Sequence, residues 1–227
     1  MSMHLMREIE RLKKQLLALS ATVEENVHRA VTAVEQGDEQ LAQRVMDIDA
    51  EVDATEIEVE EECLKIIALH QPVAIDLRFV VACLKINNDL ERIGDLARRV
   101  AKLTLALGQQ RRPAIPPELP AMAERAQKKL KDSLDALVNL DADVARRVLP
   151  ADDEVDELNR RVGSLIEEGL REDGAGIHGL LQLYAIARCF ERIADHATNI
   201  AEDVIYMLEG QIVRHQLASA PHGAPPS

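Results

Sequence analysis

The chain has 227 residues with a formal net charge of −13, no tryptophan and only 2% aromatic residues. Such an acidic field excludes binding to nucleic acid or anionic membrane through overall charge, and so few aromatics leave little for base stacking. With 47% hydrophobic and 30% charged residues, the composition suits long amphipathic helices and is poor for a β-sandwich.

The first predicted helix runs from Leu5 to Glu35. Its apolar stripe, Ile9, Leu12, Leu16, Leu19, Val23, Val27, Ala30 and Val34, advances in alternating steps of three and four. Gly37 ends it, and Asp38 is the expected N-cap of the second helix. That helix carries Leu41, Val45, Ile48, Val52, Val59, Cys63 and Ile66. It stops at His70-Gln71-Pro72, because a proline disfavours helical geometry in the residue before it. The third helix starts at Ala74 or Ile75 and closes at Gly108, with Ile86, Leu90, Ile93, Ala97, Val100, Thr104 and Leu107 on its stripe. A proline-rich stretch, Arg111 to Pro120, reads as a linker.

The fourth helix spans Pro120 to Asn139, with Pro120 suited to a first turn. The fifth covers Ala142 to Arg171, with Pro150 inside it as a kink or a delayed start. Gly174-Ala175-Gly176 is a tight loop, and the sixth helix covers Ile177 to Gly210. The expected organisation is all-α, a tandem repeat of two antiparallel three-helix bundles. Residues 1–110 form the first bundle, 111–120 the linker, 121–210 the second bundle and 211–227 a tail expected to be flexible.

The duplication is visible in the residues. Leu90-Glu91-Arg92-Ile93-Gly94-Asp95 returns as Phe190-Glu191-Arg192-Ile193-Ala194-Asp195. Glu51-Val52-Asp53 returns as Glu154-Val155-Asp156. The register between copies changes slightly from one match to the other, as loop trimming after duplication would leave it.

Four acidic pairs share one helical phase: Asp49/Asp53, Glu91/Asp95, Asp152/Asp156 and Glu191/Asp195. Members of a pair four apart lie on one face, about 5–6 Å apart at Cβ. Each pair follows an apolar stripe residue by one position, which turns it away from its own stripe. Two such helices side by side would gather four carboxylates, whose repulsion a hard cation would offset. The expected metal residues are therefore Asp49, Asp53, Glu91 and Asp95 on one face and Asp152, Asp156, Glu191 and Asp195 on the other. Asn199 continues the last ridge by a turn, and Glu202 lies beyond it. Oxygen ligands suit Mg, Mn, Ca or Fe, with Zn possible. Acidic pairs also arise by chance in a chain with 40 Asp and Glu, and a surface that docks a partner would show the same pattern without metal.

A carboxylate-bridged enzyme of the ferritin type would want Glu-x-x-His on two helices. Glu25-Asn26-Val27-His28 is the one match, and no Gly-rich phosphate loop or nucleophile motif accompanies it. Cys63, Cys83 and Cys189 read as buried apolar residues of a reducing compartment. The charged N-terminal residues argue against a signal peptide, and no apolar run is long enough to span a membrane. Cytoplasmic location is expected.

The tracts Leu84 to Asp95 and Phe190 to Glu202, together with Pro72-Val73-Ala74-Ile75-Asp76-Leu77-Arg78, resemble the signature segments of the PhoU family of bacterial phosphate-uptake regulators. The resemblance runs from Leu5 to Gly210. It implies no catalysis. It implies negative regulation of phosphate uptake and of phosphate-starvation signalling. The implied partners are the ATPase subunit of the phosphate ABC transporter, the sensor histidine kinase of the phosphate two-component system, and a second copy in a homodimer. Attachment to the inner membrane would come only through those partners. It also implies metal binding through Glu91, Asp95, Glu191 and Asp195, with Asp49, Asp53, Asp152 and Asp156 facing them. The second repeat departs from the family pattern, with Gly174 to Gly179 in place of the Pro-x-x-x-Asp-Leu-Arg lead-in. The two faces are accordingly not expected to be equivalent. A metal-free helical scaffold is the remaining alternative.

Overall fold

The computed structural model describes residues 3–108, 113–172 and 176–213. Among them the chain forms helices α1 (Met3–Gln36), α2 (Glu39–His70), α3 (Ile75–Gly108), α4 (Glu118–Asn139), α5 (Ala142–Val148), α6 (Asp152–Glu172) and α7 (Ile177–Glu209). The expected tail is described only through Val213, and part of the linker and Gly174-Ala175 lie outside the described residues.

Local chemistry sets most boundaries. Gly37 takes φ 67°, and the Leu41 N–H donates to the Asp38 carboxylate at 2.9 Å, which caps α2. At the other end Gln71 adopts φ 44° and its N–H closes on the Ile67 carbonyl, so α2 stops at His70, two residues before Pro72. Gly210, at φ 72°, ends α7 in the same way through the Tyr206 carbonyl. The fourth helix begins two residues earlier than expected, with Pro120 still inside its first turn.

One expected helix is two. Pro150 has no N–H to give and its ring crowds the preceding turn. The backbone answers with a 3-10 turn over Leu149–Ala151, which separates α5 from α6. Asp141 caps the new short helix, accepting from the N–H groups of Asp143 and Val144.

Helices α1, α2 and α3 pack on one another, and so do α4, α6 and α7. The two bundles then join through α3 against α7 and α1 against α4. A single buried cluster runs through both, from Leu12, Leu16, Ile86 and Ile93 to Leu130, Phe190 and Ile193. Helices α2 and α6 flank this central group of four. Polar pins cross the α3–α7 junction: Lys85 Nζ reaches Asp203 Oδ1 at 3.0 Å and lies 5.0 Å from the centre of the Tyr206 ring. The sites of interest lie along the α2–α3 and α6–α7 seams.

Candidate functional site

On the first seam, α2 supplies Asp49 and Asp53 while α3 supplies Glu91 and Asp95. The helices approach closely here because α3 carries Gly94 between its two acids. A Cβ at Gly94 would sit 3.1 Å from Val52 Cγ1, and Val52 lies between Asp49 and Asp53. Asp49 follows Val45 by four residues and precedes Val52 by three, so it shares the stripe that α2 turns toward α3. Asp49 keeps only 8% of its surface, against the expectation that each pair lies away from the apolar stripe, because α3 covers it.

A buried carboxylate among acids needs a cation, and the chain provides one. Arg98, one turn beyond Asp95, places Nε 2.9 Å from Asp49 Oδ2 and Nη2 2.8 Å from Asp95 Oδ1. It ties α2 to α3 with the fork geometry that suits two carboxylates. Arg92 Nε lies 3.3 Å from Glu91 Oε2.

The seam is still strained in charge. Burial pushes the Asp49 carboxyl above its ordinary range. Arg98 draws it back down, and Asp53, Asp95 and Glu91 push it up again. Glu91 is raised first by burial, with Arg92 opposing and Asp95 and Asp53 adding; His196 of α7 relieves it slightly. Glu56 is raised by burial and then by Glu60, Glu91 and Asp53. All three shifts share causes: low-dielectric surroundings and like charges across a helix pair.

Glu56 was not among the expected residues, although it continues the Asp49/Asp53 ridge by three positions. The Asn87 side-chain amide donates to both its carbonyl and its Oε1, each at 3.0 Å. Asn87 Oδ1 is buried with no hydrogen-bond partner.

The second seam repeats this with the roles exchanged. Asn159 of α6, the counterpart of Glu56, donates from Nδ2 to Glu191 Oε1 of α7 at 2.9 Å. Arg188 Nη1 donates to the same oxygen at 2.8 Å. Asn159 Oδ1 is likewise buried without a partner. A polar groove of roughly 430 Å³ opens beside them, lined by Asp156, Asn159, Ser164, Tyr184, Arg188 and Glu191. Asp156 and Asp195 are exposed, and the Asp152 side chain lies outside the described residues. The two faces therefore differ: the first buries Asp49 and ties it to Asp95 through Arg98, whereas on the second Arg188 and Asn159 hold Glu191 while Asp156 and Asp195 are exposed.

Asn199 takes a different place. It sits on the α7 side that meets α3 and donates to Asp89 Oδ1 at 3.2 Å, next to His196 Nδ1 at 2.7 Å from the same oxygen. Asp89 is itself 7% exposed. It was not singled out in the sequence, where it reads as one more polar residue in an Asn-Asn-Asp run. His28 pairs with Gln127 across the α1–α4 surface, and Glu25 pairs with Arg29. The one Glu-x-x-His match thus belongs to neither acidic seam.

The donor chemistry of the first seam fits a hard divalent cation: four carboxylates on two close helices, with Glu56 a turn away. In the conformation described, Arg98 stands between Asp49 and Asp95. Among the described residues no three His, Cys, Asp or Glu side chains converge as a ready metal cage. A cation there would have to displace Arg98 from at least one carboxylate.

The comparisons with known proteins agree on one family. The model of the PhoU domain matches residues 16–104 and again 119–204. A phosphate-specific transport system accessory protein PhoU homolog of Pseudomonas aeruginosa is 38% identical over 211 residues, spanning 92% of this chain and 86% of that one. The phosphate-specific transport system accessory protein PhoU of Escherichia coli is 33% identical over 208 residues, with the same two coverages of 92% and 86%. Among solved structures, that of PhoU from Pseudomonas aeruginosa superposes with a TM-score of 0.88 at 37% identity, covering 90% of this chain and 99% of that one. The phosphate transport system regulatory protein PhoU from Streptococcus pneumoniae gives a TM-score of 0.84 at 28% identity, covering 92% of this chain and 99% of that one.

Proposed function

The chain belongs to the PhoU family, and on that premise we propose that it is an accessory regulator of a phosphate-specific transporter, holding phosphate uptake and the phosphate-starvation response down when phosphate is plentiful. It does so as an adaptor, without catalysis, between the transporter's ATPase subunit and the sensor histidine kinase, and it works as a homodimer in the cytoplasm. The observation that carries this reading is the paired match of the family model to both repeats, in relatives named as transport accessory proteins and covered over most of their length. No helix among the described residues is long and apolar enough to cross a membrane, which fits a protein that meets the transporter from one side.

We place a divalent cation within this reading. Asp49, Asp53, Glu91 and Asp95 would hold it on the first seam, and Asp156, Glu191 and Asp195 with Asp152 on the second. Bound there, the cation supplies neutralising charge and a tie between neighbouring helices. Two facts support the first seam. Burial raises the Asp49, Glu56 and Glu91 carboxyls, and neighbouring carboxylates, Asp53 in every case, raise them further. Arg98 already fills the role of a cation between Asp49 and Asp95. Carboxylates arranged this way gain more from a metal than solvated ones, because low dielectric strengthens both their repulsion and its relief.

The regulatory reading is tested by deleting the gene and following a phosphate-starvation reporter in phosphate-rich medium. The reporter should switch on in the deletion and fall silent again when the gene is restored. Repression that survives the deletion would contradict it.

A further inference from the structure

The outer surface of α2 carries a feature that neither the core nor the acidic seam uses. Helix α2 packs against α1 and α3, yet a second apolar line runs along its free side. Ala50, Ala54, Ile57, Glu61, Leu64 and Ala68 follow one another in steps of four and three, and every one is exposed. Ile57 and Leu64 show 52% and 53% of their surface. At 1.5 Å per residue the line is about 27 Å long. The spacing is that of a coiled-coil seam, in which such positions meet a partner helix.

The flanks of this seam are acidic as far as Glu60. In the heptad register that puts Ile57 and Leu64 at equivalent positions, the adjoining flank positions are Glu51, Asp53, Glu58 and Glu60. All four are exposed. Glu61 interrupts the seam itself. Lys65, the next flank position, is already engaged by Glu8 and Glu62 of its own bundle.

The duplication supplies an internal control. In the register that aligns Val52 with Val155 and Val59 with Val162, the seam positions Ala54, Ile57, Leu64 and Ala68 correspond to Glu157, Arg160, Glu167 and Arg171. In α6 the same surface is an ordinary charged helix face. The fold therefore does not require apolar residues there, and their presence on α2 alone needs another cause.

We propose that the outer face of α2 docks a basic amphipathic helix of a partner protein, with apolar residues facing Ile57 and Leu64 and lysine or arginine facing the acidic flanks. A second copy of this chain is the weaker occupant. Pairing α2 with itself would set Glu51, Asp53, Glu58 and Glu60 against their equivalents and bury Glu61 against apolar residues. A cationic partner removes both costs, and a basic side chain opposite Glu61 would fix the register. The assignment rests on the exposed seam and its charge; of the acidic flanks only Asp53 also belongs to the acidic seam, so Glu51, Glu58, Glu60 and Glu61 carry it whether or not that seam binds metal.

The test uses the full chain and a labelled synthetic helix of about three heptads, with leucine on its seam and lysine on its flanks. Binding is read by fluorescence anisotropy at low and moderate salt. The chain should bind this peptide, and a matched peptide with glutamate flanks should bind about tenfold more weakly or worse. The variant Ile57→Arg with Leu64→Glu borrows the charges of α6, which the fold tolerates at the corresponding positions. It should keep its helical circular dichroism and melting temperature while losing binding about tenfold or more. The companion variant Arg160→Ala with Glu167→Ala should bind as the native chain does. Equal binding of both peptides, or unchanged binding by the α2 variant, would overturn the proposal. So would a native dimer in sedimentation that the α2 variant splits, because the seam would then belong to a second copy.

Discussion

Replacing Arg98 with glutamine isolates the electrostatics of the first acidic seam. The change removes the cation that bridges Asp49 and Asp95 and leaves a shorter, neutral polar side chain. Stripping the partner from a fully buried charge costs about 3–5 kcal/mol, and an exposed pair is worth about 0–1 kcal/mol. This pair lies between: the Asp49 side chain is 11% exposed and that of Arg98 48%. A loss of about 2 kcal/mol at neutral pH follows from that position between the two limits. For a protein of this size it corresponds to a fall in Tm of about 4–8 °C.

The pH dependence gives the sharper reading. Arg98 holds the Asp49 carboxyl down against burial and like charges, so its removal raises that carboxyl further. A carboxyl raised by folding makes the folded state bind the proton more readily, and stability then increases as pH falls through the raised value. The deficit of Arg98→Gln should therefore shrink as the pH is lowered from neutral into the acid range, with the native chain as reference. Manganese should also raise the Tm of the variant more than that of the native chain, because nothing competes for Asp49 and Asp95. The assay is thermal unfolding by circular dichroism at neutral and at acid pH, with and without manganese. A deficit equal at both, with equal manganese shifts, would show that Arg98 acts by packing alone.

Gly94→Leu should force α3 away from Val52, costing about 1–3 kcal/mol of stability, and should weaken manganese binding in a calorimetric titration; unchanged affinity would mean that the close approach of α2 and α3 is irrelevant to the site. Asp89→Ala removes the common acceptor of His196 and Asn199 at the α3–α7 junction and should cost about 1–3 kcal/mol in urea unfolding, with a midpoint equal to the native one counting against that hydrogen-bonded cluster. Cys63, Cys83 and Cys189 are buried and free, and burial pushes the Cys63 thiol up to about 12. A thiol reagent at mildly alkaline pH should therefore modify them only after denaturant is added; rapid labelling of the folded chain would contradict their burial.

The helices were legible because each carries one apolar stripe at helical spacing, and Leu12, Leu16, Ile86, Leu90 and Ile193 do face the core. Pro150 gave away a break in the fifth helix, though not that a 3-10 turn would carry it. The acidic pairs were legible through their shared phase and the duplication. What escaped the sequence depends on contacts between elements far apart in the chain. Asp49 looked external because it was phased from Ile48, yet it lies four residues after Val45 and three before Val52 on the buried stripe of α2, where α3 packs at Gly94. Arg98 stood among several arginines, and its reach back to α2 is a tertiary fact. Asn199 shares a ridge with Asp195, yet the packing of α7 on α3 gives it to Asp89 instead. Glu56 and Asn159 could have been found by extending each acidic ridge three residues along and comparing the two repeats.

The central claim is that the repeated Glu-x-x-x-Asp seams hold metal ions. It is tested most directly by elemental analysis of untagged protein purified without chelators, native chain beside Asp95→Asn with Asp195→Asn. The account predicts bound divalent metal in the native protein and a marked loss in the double variant, with both equally helical. Equal and negligible metal in the two would contradict it.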